Sequence, residues 1–227
     1  MKPLVIFDCD GVLVDSEPIA SAVLADHLTA AGMPHTPRQC RERFTGLSLH
    51  SCQQMLEAES GKPLPAGFFD ALQRDTFARF EAMLQPVPGI VTVLECLRDW
   101  GWDVCVASSG GHDKMAVTLG ITGLGDYFAG RIFSASDVAR GKPAPDLFLH
   151  AAARLGFAAS QCIVVEDSPP GVQAALAARM AVCAFVAQPP LSGGLCESAD
   201  AQAFTAMPEL PDLLLSIHAR RRRVPEH

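Results

Sequence analysis

Beyond residue 87 the sequence alternates between short apolar runs and segments whose apolar residues recur at helical spacing. The runs are short and strongly apolar, which is typical of strands buried on both faces of a sheet. With a similar run near the N-terminus, they predict strands at residues 4–7, 104–107, 131–133, 163–165 and 182–186. Because strands that alternate with helices pair in parallel through crossovers, we expect an α/β fold: a Rossmann-like parallel sheet with helices on both faces.

The segment between the first two predicted strands shows only helical patterns. Thr36 and Gln39 form a capping-box pair, with Pro37 at the first helical position. This predicts an all-helical unit inserted after the first strand. We expect an α/β core at residues 1–15 and 87–227, and a helical insert at residues 16–86.

Polar residues follow four of the predicted strands, either directly or in the next loop. They are Asp8 and Asp10 after the first strand, Ser108, Ser109 and Gly110 after the second, Lys142 near the third, and Glu166 and Asp167 after the fourth. Taken singly, each is also compatible with an ordinary turn or surface residue. Because ligands bind at the carboxyl ends of parallel strands, we expect all of them to meet at one edge of the sheet.

Four carboxyl groups at one edge repel one another unless positive charge lies among them. Lys142 supplies one positive charge, and a hard divalent cation would supply the rest. Mg²⁺ suits a site of carboxylates, a backbone carbonyl and water, and it would let an anionic phosphate approach the acids. The sequence therefore predicts Mg²⁺ as the cofactor.

Asp8 and Asp10 face the same side of an extended chain. One carboxylate can attack phosphorus to form an aspartyl-phosphate, and the second can protonate the leaving oxygen and then deprotonate water. Ser108 and the two backbone N–H groups that follow it could hold the phosphoryl oxygens, while Lys142 offsets the developing charge. This pattern favours phosphoryl transfer to Asp8.

Four motifs resemble those of the haloacid dehalogenase superfamily, in the same order. They are residues 8–17 (DCDGVLVDSE), 107–110 (ASSG), 141–146 (GKPAPD) and 165–168 (VEDS). The resemblance covers essentially the whole chain, and the helical insert is similar to the small α-helical cap of one subclass. It implies Asp8 as the nucleophile and Asp10 as the general acid/base. It also implies Mg²⁺ held by Asp8, the Asp10 carbonyl and Asp167, with Glu166 near the metal.

Two reactions share this chemistry, and the sequence favours one of them. A phosphatase passes the phosphoryl group to water, whereas a mutase of the β-phosphoglucomutase type returns it to a sugar. Such mutases carry a His soon after the first motif and an Arg in the cap loop. Here residues 17–21 contain no His, and Leu49 stands at the Arg position. We expect a phosphatase, with the mutase and a non-catalytic binding module of the same fold as alternatives.

The sequence also resembles bacterial sugar phosphatases such as 6-phosphogluconate phosphatase, at residues 43–46 (RFTG) and 113–115 (DKM). This implies a small phosphorylated metabolite as substrate, either a sugar phosphate or a phosphorylated sugar acid. Arg43 and Lys114 are candidate contacts to an anionic substrate tail. For Arg43, a solvent-exposed helix cation is the better-supported explanation.

Composition limits the partners that we expect. A formal net charge of −7 disfavours nucleic acid. No apolar stretch approaches the roughly 20 residues of a membrane span, and the run at residues 4–7 is too short for a signal-peptide core. We therefore expect a cytoplasmic protein, a monomer with a dimer as the alternative. The cations at residues 220–223 are expected to form a solvated tail at the end of a helix.

Cys9 stands between the two first-motif aspartates and is a competing candidate for the nucleophile. In an extended chain it faces the opposite side from Asp8 and Asp10. None of the eight cysteines forms a Cys-x-x-Cys pair. We therefore expect Cys9 to be a buried filler thiol and expect no zinc site.

Overall fold

A computed structural model of the chain describes residues 2–44, 49–186 and 201–221, without the side chains of residues 49–51. The chain divides into two compact units. One comprises Met1–Val14 with Pro86–His227, and the other comprises Asp15–Gln85. The roles of catalytic core and cap for these two units stay a prediction.

The first unit is built on one six-stranded sheet. Its strands are β1 (Leu4–Phe7), β2 (Asp103–Ser108), β3 (Ile132–Ser134), β4 (Cys162–Glu166), β5 (Ala181–Phe185) and β6 (Ala201–Phe204). They lie in the order β3-β2-β1-β4-β5-β6, and each neighbouring pair is parallel. The predicted α/β class with a Rossmann-like parallel sheet is confirmed.

The register of the central strand β1 with its two neighbours determines where the following loops begin. Phe7, its last residue, pairs with Val106 of β2 on one side and Val165 of β4 on the other. All four β1 residues are fully buried, as expected for a strand covered on both faces. The segments that follow β1, β2 and β4 therefore begin side by side at the point where strand order reverses, which is where open α/β sheets bind ligands.

Five α-helices belong to the sheet unit and four to the other unit within the described residues. The sheet unit carries α5 (Ile90–Trp100), α6 (His112–Ile121), α7 (Asp146–Arg154), α8 (Pro169–Ala177) and α9 (Leu210–Arg221). The second unit carries α1 (Glu17–Ala30), α2 (Pro37–Phe44), α3 (Leu49–Ser60) and α4 (Phe68–Met83). Between residues 15 and 85 the described part of the chain contains no strand, which agrees with the sequence pattern.

Each unit has its own apolar core. In the sheet unit, residues of β1, β2 and β4 pack against α7 and α8, with Phe148 and Val164 fully buried. In the helical unit, Leu28, Leu56 and Phe68 lie at the centre. Each such side chain contributes roughly 1.5–3 kcal/mol through burial.

The predicted capping box at the start of α2 is present. The Gln39 backbone N–H donates to Thr36 Oγ1 at 3.2 Å, and the Thr36 N–H donates to Gln39 Oε1 at 2.8 Å. Pro37 is the first residue of the helix, where its missing N–H has no intrahelical partner to lose.

Two features of the fold differ from the sequence-based expectation. The sequence does not predict strand β6, because its four residues (AQAF) contain only one large apolar side chain, Phe204, and form no apolar run. The cations at the C-terminus do not all belong to a solvated tail: α9 extends to Arg221, whose Nη1 donates to the carbonyl oxygens of Ser160 at 3.0 Å and Cys162 at 3.3 Å. Residues 222 and 223 lie outside the described residues.

Candidate active site

The loop after β1 carries the first two predicted site residues. The Asp8 backbone N–H donates to the Val165 carbonyl at 2.9 Å, which extends the pairing with β4 by one residue. The chain then turns at Gly11, whose φ of +78° lies in the left-handed region that favours glycine, and its N–H donates to the Val14 carbonyl at 2.9 Å. This turn holds Asp8 and Asp10 at the carboxyl edge of the sheet.

Lys142 joins two motifs in one buried ion-pair network. Its Nζ donates to Asp8 Oδ1 and to Glu166 Oε1, each at 2.6 Å. Only 3% of the Lys142 side chain is exposed, and the ring of Phe148 lies 5.0 Å from the ammonium group. Burial alone would lower the pKa of Lys142, but the carboxylates of Asp8 and Glu166 outweigh it and hold the pKa above its usual range.

Glu166 is held from both ends. One oxygen accepts from Lys142, and the other accepts from the Ser168 backbone N–H at 2.7 Å and from Ser168 Oγ at 2.9 Å. The side chain is fully buried and passes so close to Gly171 that a Cβ there would overlap the carboxylate. Glu166 therefore orients Lys142, and both of its oxygens are already engaged within the protein.

Asp8 lies in an environment that disfavours its charge. Burial raises the pKa of Asp8 to about 7, an effect that Lys142 opposes and Glu166 and Asp10 reinforce. A cation beside Asp8 would favour the ionised carboxylate, which is the form that a nucleophile requires.

Asp10 pairs with a second lysine. Lys114 Nζ donates to Asp10 Oδ2 at 2.7 Å. Burial would lower the pKa of Lys114, but the Asp10 carboxylate more than offsets it and holds the pKa above its usual range. The predicted contact of Lys114 with a substrate tail stays a prediction; in the structure its ammonium group contacts Asp10.

The turn after β2 lies beside this pair. Ser108 is buried, and its Oγ accepts from the Gly110 N–H at 3.2 Å. The Gly110 carbonyl in turn accepts from Ser134 Oγ at 2.8 Å. A Cβ at Gly110 would lie 3.8 Å from Asp10 Oδ2, so the turn and the first-motif acids are neighbours. Ser109 is exposed at the edge of the sheet.

The oxygen groups around Gly11 fit a hard cation. Asp167 lies close against Gly11: a Cβ at Gly11 would overlap Asp167 Oδ2 and lie 2.8 Å from the Asp167 Cγ. Asp8, Asp167 and the Asp10 carbonyl are the kind of oxygen donors that Mg²⁺ takes. Four carboxyl groups and two ammonium groups also leave a formal charge of −2 at this edge, which one divalent cation balances.

The predicted metal-binding set of Asp8, Asp10, Glu166 and Asp167 stays a prediction. Within residues 2–44, 49–186 and 201–221, no group of three or more His, Cys, Asp or Glu side chains is arranged to hold a metal ion. In this arrangement Asp8 and Glu166 share Lys142. Of the predicted ligands, Glu166 is the one whose contacts favour a supporting role.

Arg43 is engaged inside the helical unit. Its guanidinium pairs with Glu59, donates to His35 Nε2 at 2.9 Å and lies over the Phe44 ring at 5.2 Å. Residues 45–48 of the cap segment that follows lie outside the described residues.

Cys9 is 1% exposed and contacts Thr118 Oγ1 at 3.9 Å. Burial raises the pKa of the Cys9 thiol, and the nearby Asp10 and Asp8 raise it further. A protonated, buried thiol is a poor nucleophile, which agrees with the interpretation of Cys9 as a filler.

Sequence reasoning missed three supporting residues: Ser134, Ser168 as an anchor of Glu166, and Gly171. Ser168 and Gly171 show a usable signal, because Ser168 precedes Pro169 in an N-cap position and Gly171 interrupts an Ala-rich helix. Ser134 shows none.

Comparison with known proteins agrees with this geometry. A sequence model of the haloacid dehalogenase-like hydrolases matches residues 2–179, which is more than half of the chain. The chain belongs to the haloacid dehalogenase-like hydrolases. The family resemblance found in the motifs is thereby confirmed.

Relatives of this haloacid dehalogenase-like hydrolase include several phosphatases of named activity. The 6-phosphogluconate phosphatase of Escherichia coli is 33% identical over 186 residues, which cover 82% of this chain and 83% of that enzyme. Among solved structures, a haloacid dehalogenase-like protein from Agrobacterium tumefaciens has a TM-score of 0.81 and 32% identity, covering 96% of this chain and 100% of that one. A family hydrolase from Deinococcus radiodurans with bound phosphate and sodium has a TM-score of 0.79 and 28% identity, covering 96% of each chain.

No helix in the described part of this hydrolase is both long and apolar enough to cross a bilayer.

Proposed function

We propose that this protein hydrolyses a small phosphorylated metabolite, with Mg²⁺, through a phosphoryl group carried on Asp8. The observation that carries the proposal is the contact of Lys142 with both Asp8 and Glu166, each at 2.6 Å. It occurs in a chain that belongs to a family of hydrolases. A lysine paired with the proposed nucleophile is suited to hold a phosphoryl oxygen when the acid becomes esterified. Hydrolysis of phosphoric monoesters is further supported by the Escherichia coli relative, which is a phosphatase.

The first step forms a bond between an Asp8 carboxylate oxygen and phosphorus, and the bond from phosphorus to the ester oxygen breaks. Lys142 donates to Oδ1 of Asp8 and so limits the rotation of the carboxylate. This keeps the attacking oxygen of Asp8 oriented toward the phosphorus of the substrate. Ser108 and the backbone N–H groups after it bind the non-bridging oxygens. The charge that develops on those oxygens is offset by Lys142.

Asp10 acts as the general acid in the first step and as the general base in the second. In the first step its carboxyl group gives a proton to the leaving ester oxygen, which departs as an alcohol. In the second step the Asp10 carboxylate takes a proton from water, whose oxygen attacks phosphorus. The bond from phosphorus to Asp8 breaks, releasing phosphate and restoring the free carboxylate.

Asp8, Asp167 and the Asp10 carbonyl would hold Mg²⁺, with Glu166 supporting them through Lys142. When bound, the cation neutralises negative charge on the phosphoryl group and the acids that surround it. The phosphate bound to the Deinococcus radiodurans relative supports an anion site in this fold.

The substrate class follows from the named relative. The Escherichia coli enzyme acts on 6-phosphogluconate, so we propose a sugar phosphate or a phosphorylated sugar acid as the substrate. Arg43 and Lys114 stay the predicted contacts to the anionic tail of the substrate, and the ion pairs of Arg43 with Glu59 and of Lys114 with Asp10 compete with that role.

The test is phosphate release from a panel of sugar phosphates and from p-nitrophenyl phosphate, with Mg²⁺ and with EDTA. We expect turnover of at least one sugar phosphate with Mg²⁺, and loss of that turnover in EDTA that returns with added Mg²⁺. Conversion of β-glucose 1-phosphate to glucose 6-phosphate without phosphate release would favour the mutase. Absence of turnover on every ester would favour the binding module.

A further inference from the structure

We propose that Lys114 is a positioning residue for Asp10, which fixes the general acid/base against the Ser108–Gly110 turn. This inference deepens the proposed function and rests on it. Lys114 Nζ donates to Asp10 Oδ2 at 2.7 Å across 104 residues of sequence. The pair is only partly open to solvent, with 36% of the Lys114 side chain and 22% of the Asp10 side chain exposed.

The path of the Lys114 side chain supports the assignment. Lys114 is the third residue of α6, and its stem passes Gly110 on the way to Asp10. A Cβ at Gly110 would lie 3.6 Å from Lys114 Cδ, 3.6 Å from Ser108 Oγ and 3.8 Å from Asp10 Oδ2. Lys114 therefore lies between the turn that would bind the phosphoryl oxygens and the acid that would move the proton.

Helix α6 is attached to the first motif at a second point, one turn further along. Thr118 Oγ1 contacts Cys9 Sγ at 3.9 Å and donates to the Lys114 carbonyl at 3.0 Å. Residues 114 and 118 lie on the same face of a helix. Two contacts from one face, to two adjacent residues of the loop, fix the direction from which Lys114 approaches Asp10.

Fixing Asp10 matters because proton transfer needs the carboxyl group within about 2.6–3.2 Å of the leaving oxygen. A displacement of about 1 Å in such a group can cost roughly 100-fold in rate. An aryl ester with a good leaving group needs little proton transfer in the first step, so the burst of nitrophenol that reports this step should depend much less on Lys114. The second step, in which Asp10 activates water, is common to both kinds of ester.

The experiment compares Lys114→Met with the wild type on the sugar phosphate of the panel that the wild type hydrolyses fastest and on p-nitrophenyl phosphate. We expect kcat to fall about 10-fold or more on the sugar phosphate and the rate of the nitrophenol burst to fall less than about 3-fold on the aryl ester, with KM for the sugar phosphate changed by less than about 2-fold. Lys114→Gln keeps an N–H donor and should therefore recover part of the lost kcat. It replaces Lys114→Met in the experiment if that variant folds poorly. Lys62→Met removes an exposed lysine in the other unit and should leave both rates unchanged.

A double-mutant cycle with Asp10→Asn separates positioning from direct substrate contact. It is measured on phenyl phosphate, whose leaving group is intermediate between the other two. If Lys114 acts through Asp10, adding Lys114→Met to Asp10→Asn should cause no further loss of kcat. Multiplicative losses, or a raised KM for the sugar phosphate with kcat intact, would overturn the proposal. A wild-type protein inactive on phenyl phosphate, p-nitrophenyl phosphate and every sugar phosphate of the panel would instead overturn the proposed function itself, and the role of Lys114 with it.

Discussion

Lys142 Nζ donates to Asp8 Oδ1 at 2.6 Å, although 134 residues separate the two in the sequence. The same nitrogen donates to Glu166 Oε1 at 2.6 Å, so one buried ammonium group serves two buried carboxylates. Removing one member of such a group leaves the others charged and unpaired in a low-dielectric environment. The network therefore links catalytic function and stability more tightly than an exposed pair would.

The first prediction concerns Lys142. Lys142→Met should lower kcat for phosphate release by about 100-fold or more. It should also destabilise the protein by about 3–5 kcal/mol, because Asp8 and Glu166 stay buried without their partner. Steady-state kinetics and urea denaturation measure the two effects.

Arg140→Met provides a matched control for that experiment. Arg140 pairs with Asp146 at 2.9 Å, but 71% of its side chain is exposed. An exposed pair contributes about 0–1 kcal/mol, so the variant should remain active and nearly as stable as the wild type. Equal losses in the two variants would contradict the assignment of Lys142 to the site.

Asp8→Asn should abolish turnover, because an amide does not attack phosphorus, and it should also change how stability depends on pH. In the folded protein burial raises the pKa of Asp8 from 3.8 to about 7. Between about pH 4 and pH 7 the folded state thus binds more protons than the unfolded state. The unfolding free energy of the wild type should fall as pH rises through that range.

Asparagine does not titrate, so this contribution to the pH dependence disappears in Asp8→Asn. The quantity to measure is the Tm of Asp8→Asn minus the Tm of the wild type, both determined in EDTA. This difference should increase from pH 4.5 to pH 8. A Tm difference that stays constant across this range would show that burial does not raise the pKa of Asp8.

Asp10→Asn tests the proton-transfer role. The variant should lose about 100-fold or more of kcat on a sugar phosphate, whose alcohol must be protonated as it leaves. The loss on p-nitrophenyl phosphate should be much smaller in the step that forms the aspartyl-phosphate, measured as the burst of nitrophenol. Equal losses in that burst and on the sugar phosphate would argue against Asp10 as the acid.

Gly171→Ala tests the anchoring of Glu166. A Cβ at this position would overlap the Glu166 carboxylate, which must then shift and release Lys142. We expect kcat to fall by about 10-fold or more, since displacement of a group near the reacting atoms is costly. Gly120→Ala is the control, because a Cβ there meets nothing within 4 Å and alanine favours the helix. If Gly171→Ala is as active as Gly120→Ala, Glu166 does not position Lys142.

Cys9→Ala tests the competing nucleophile. Burial raises the pKa of the Cys9 thiol, so at neutral pH it is protonated and should react slowly with iodoacetamide in the folded protein. The variant should keep its turnover and lose no more than about 2 kcal/mol of stability from the small cavity. Loss of turnover in a folded Cys9→Ala variant would return Cys9 to the mechanism.

The order of strands and motifs could be read from the sequence because both are local properties. The apolar runs that become β1, β2, β4 and β5 are continuous, and the acids follow them directly. A parallel sheet then places every carboxyl end at the same edge, whatever the length of the intervening chain. Family membership followed from the same local motifs, whereas the catalytic roles of the individual residues stay predictions.

The destinations of the long charged side chains required the tertiary structure. Lys114 could have reached a substrate or Asp10, and only the packing of α6 beside the first motif decides for Asp10. In the same way Glu166 is turned to Lys142 and Ser168, and Arg43 to Glu59 and His35. A local sequence pattern determines the backbone position of a long side chain. The contact of its charged group depends on which opposite charges the packed helices and strands bring within reach.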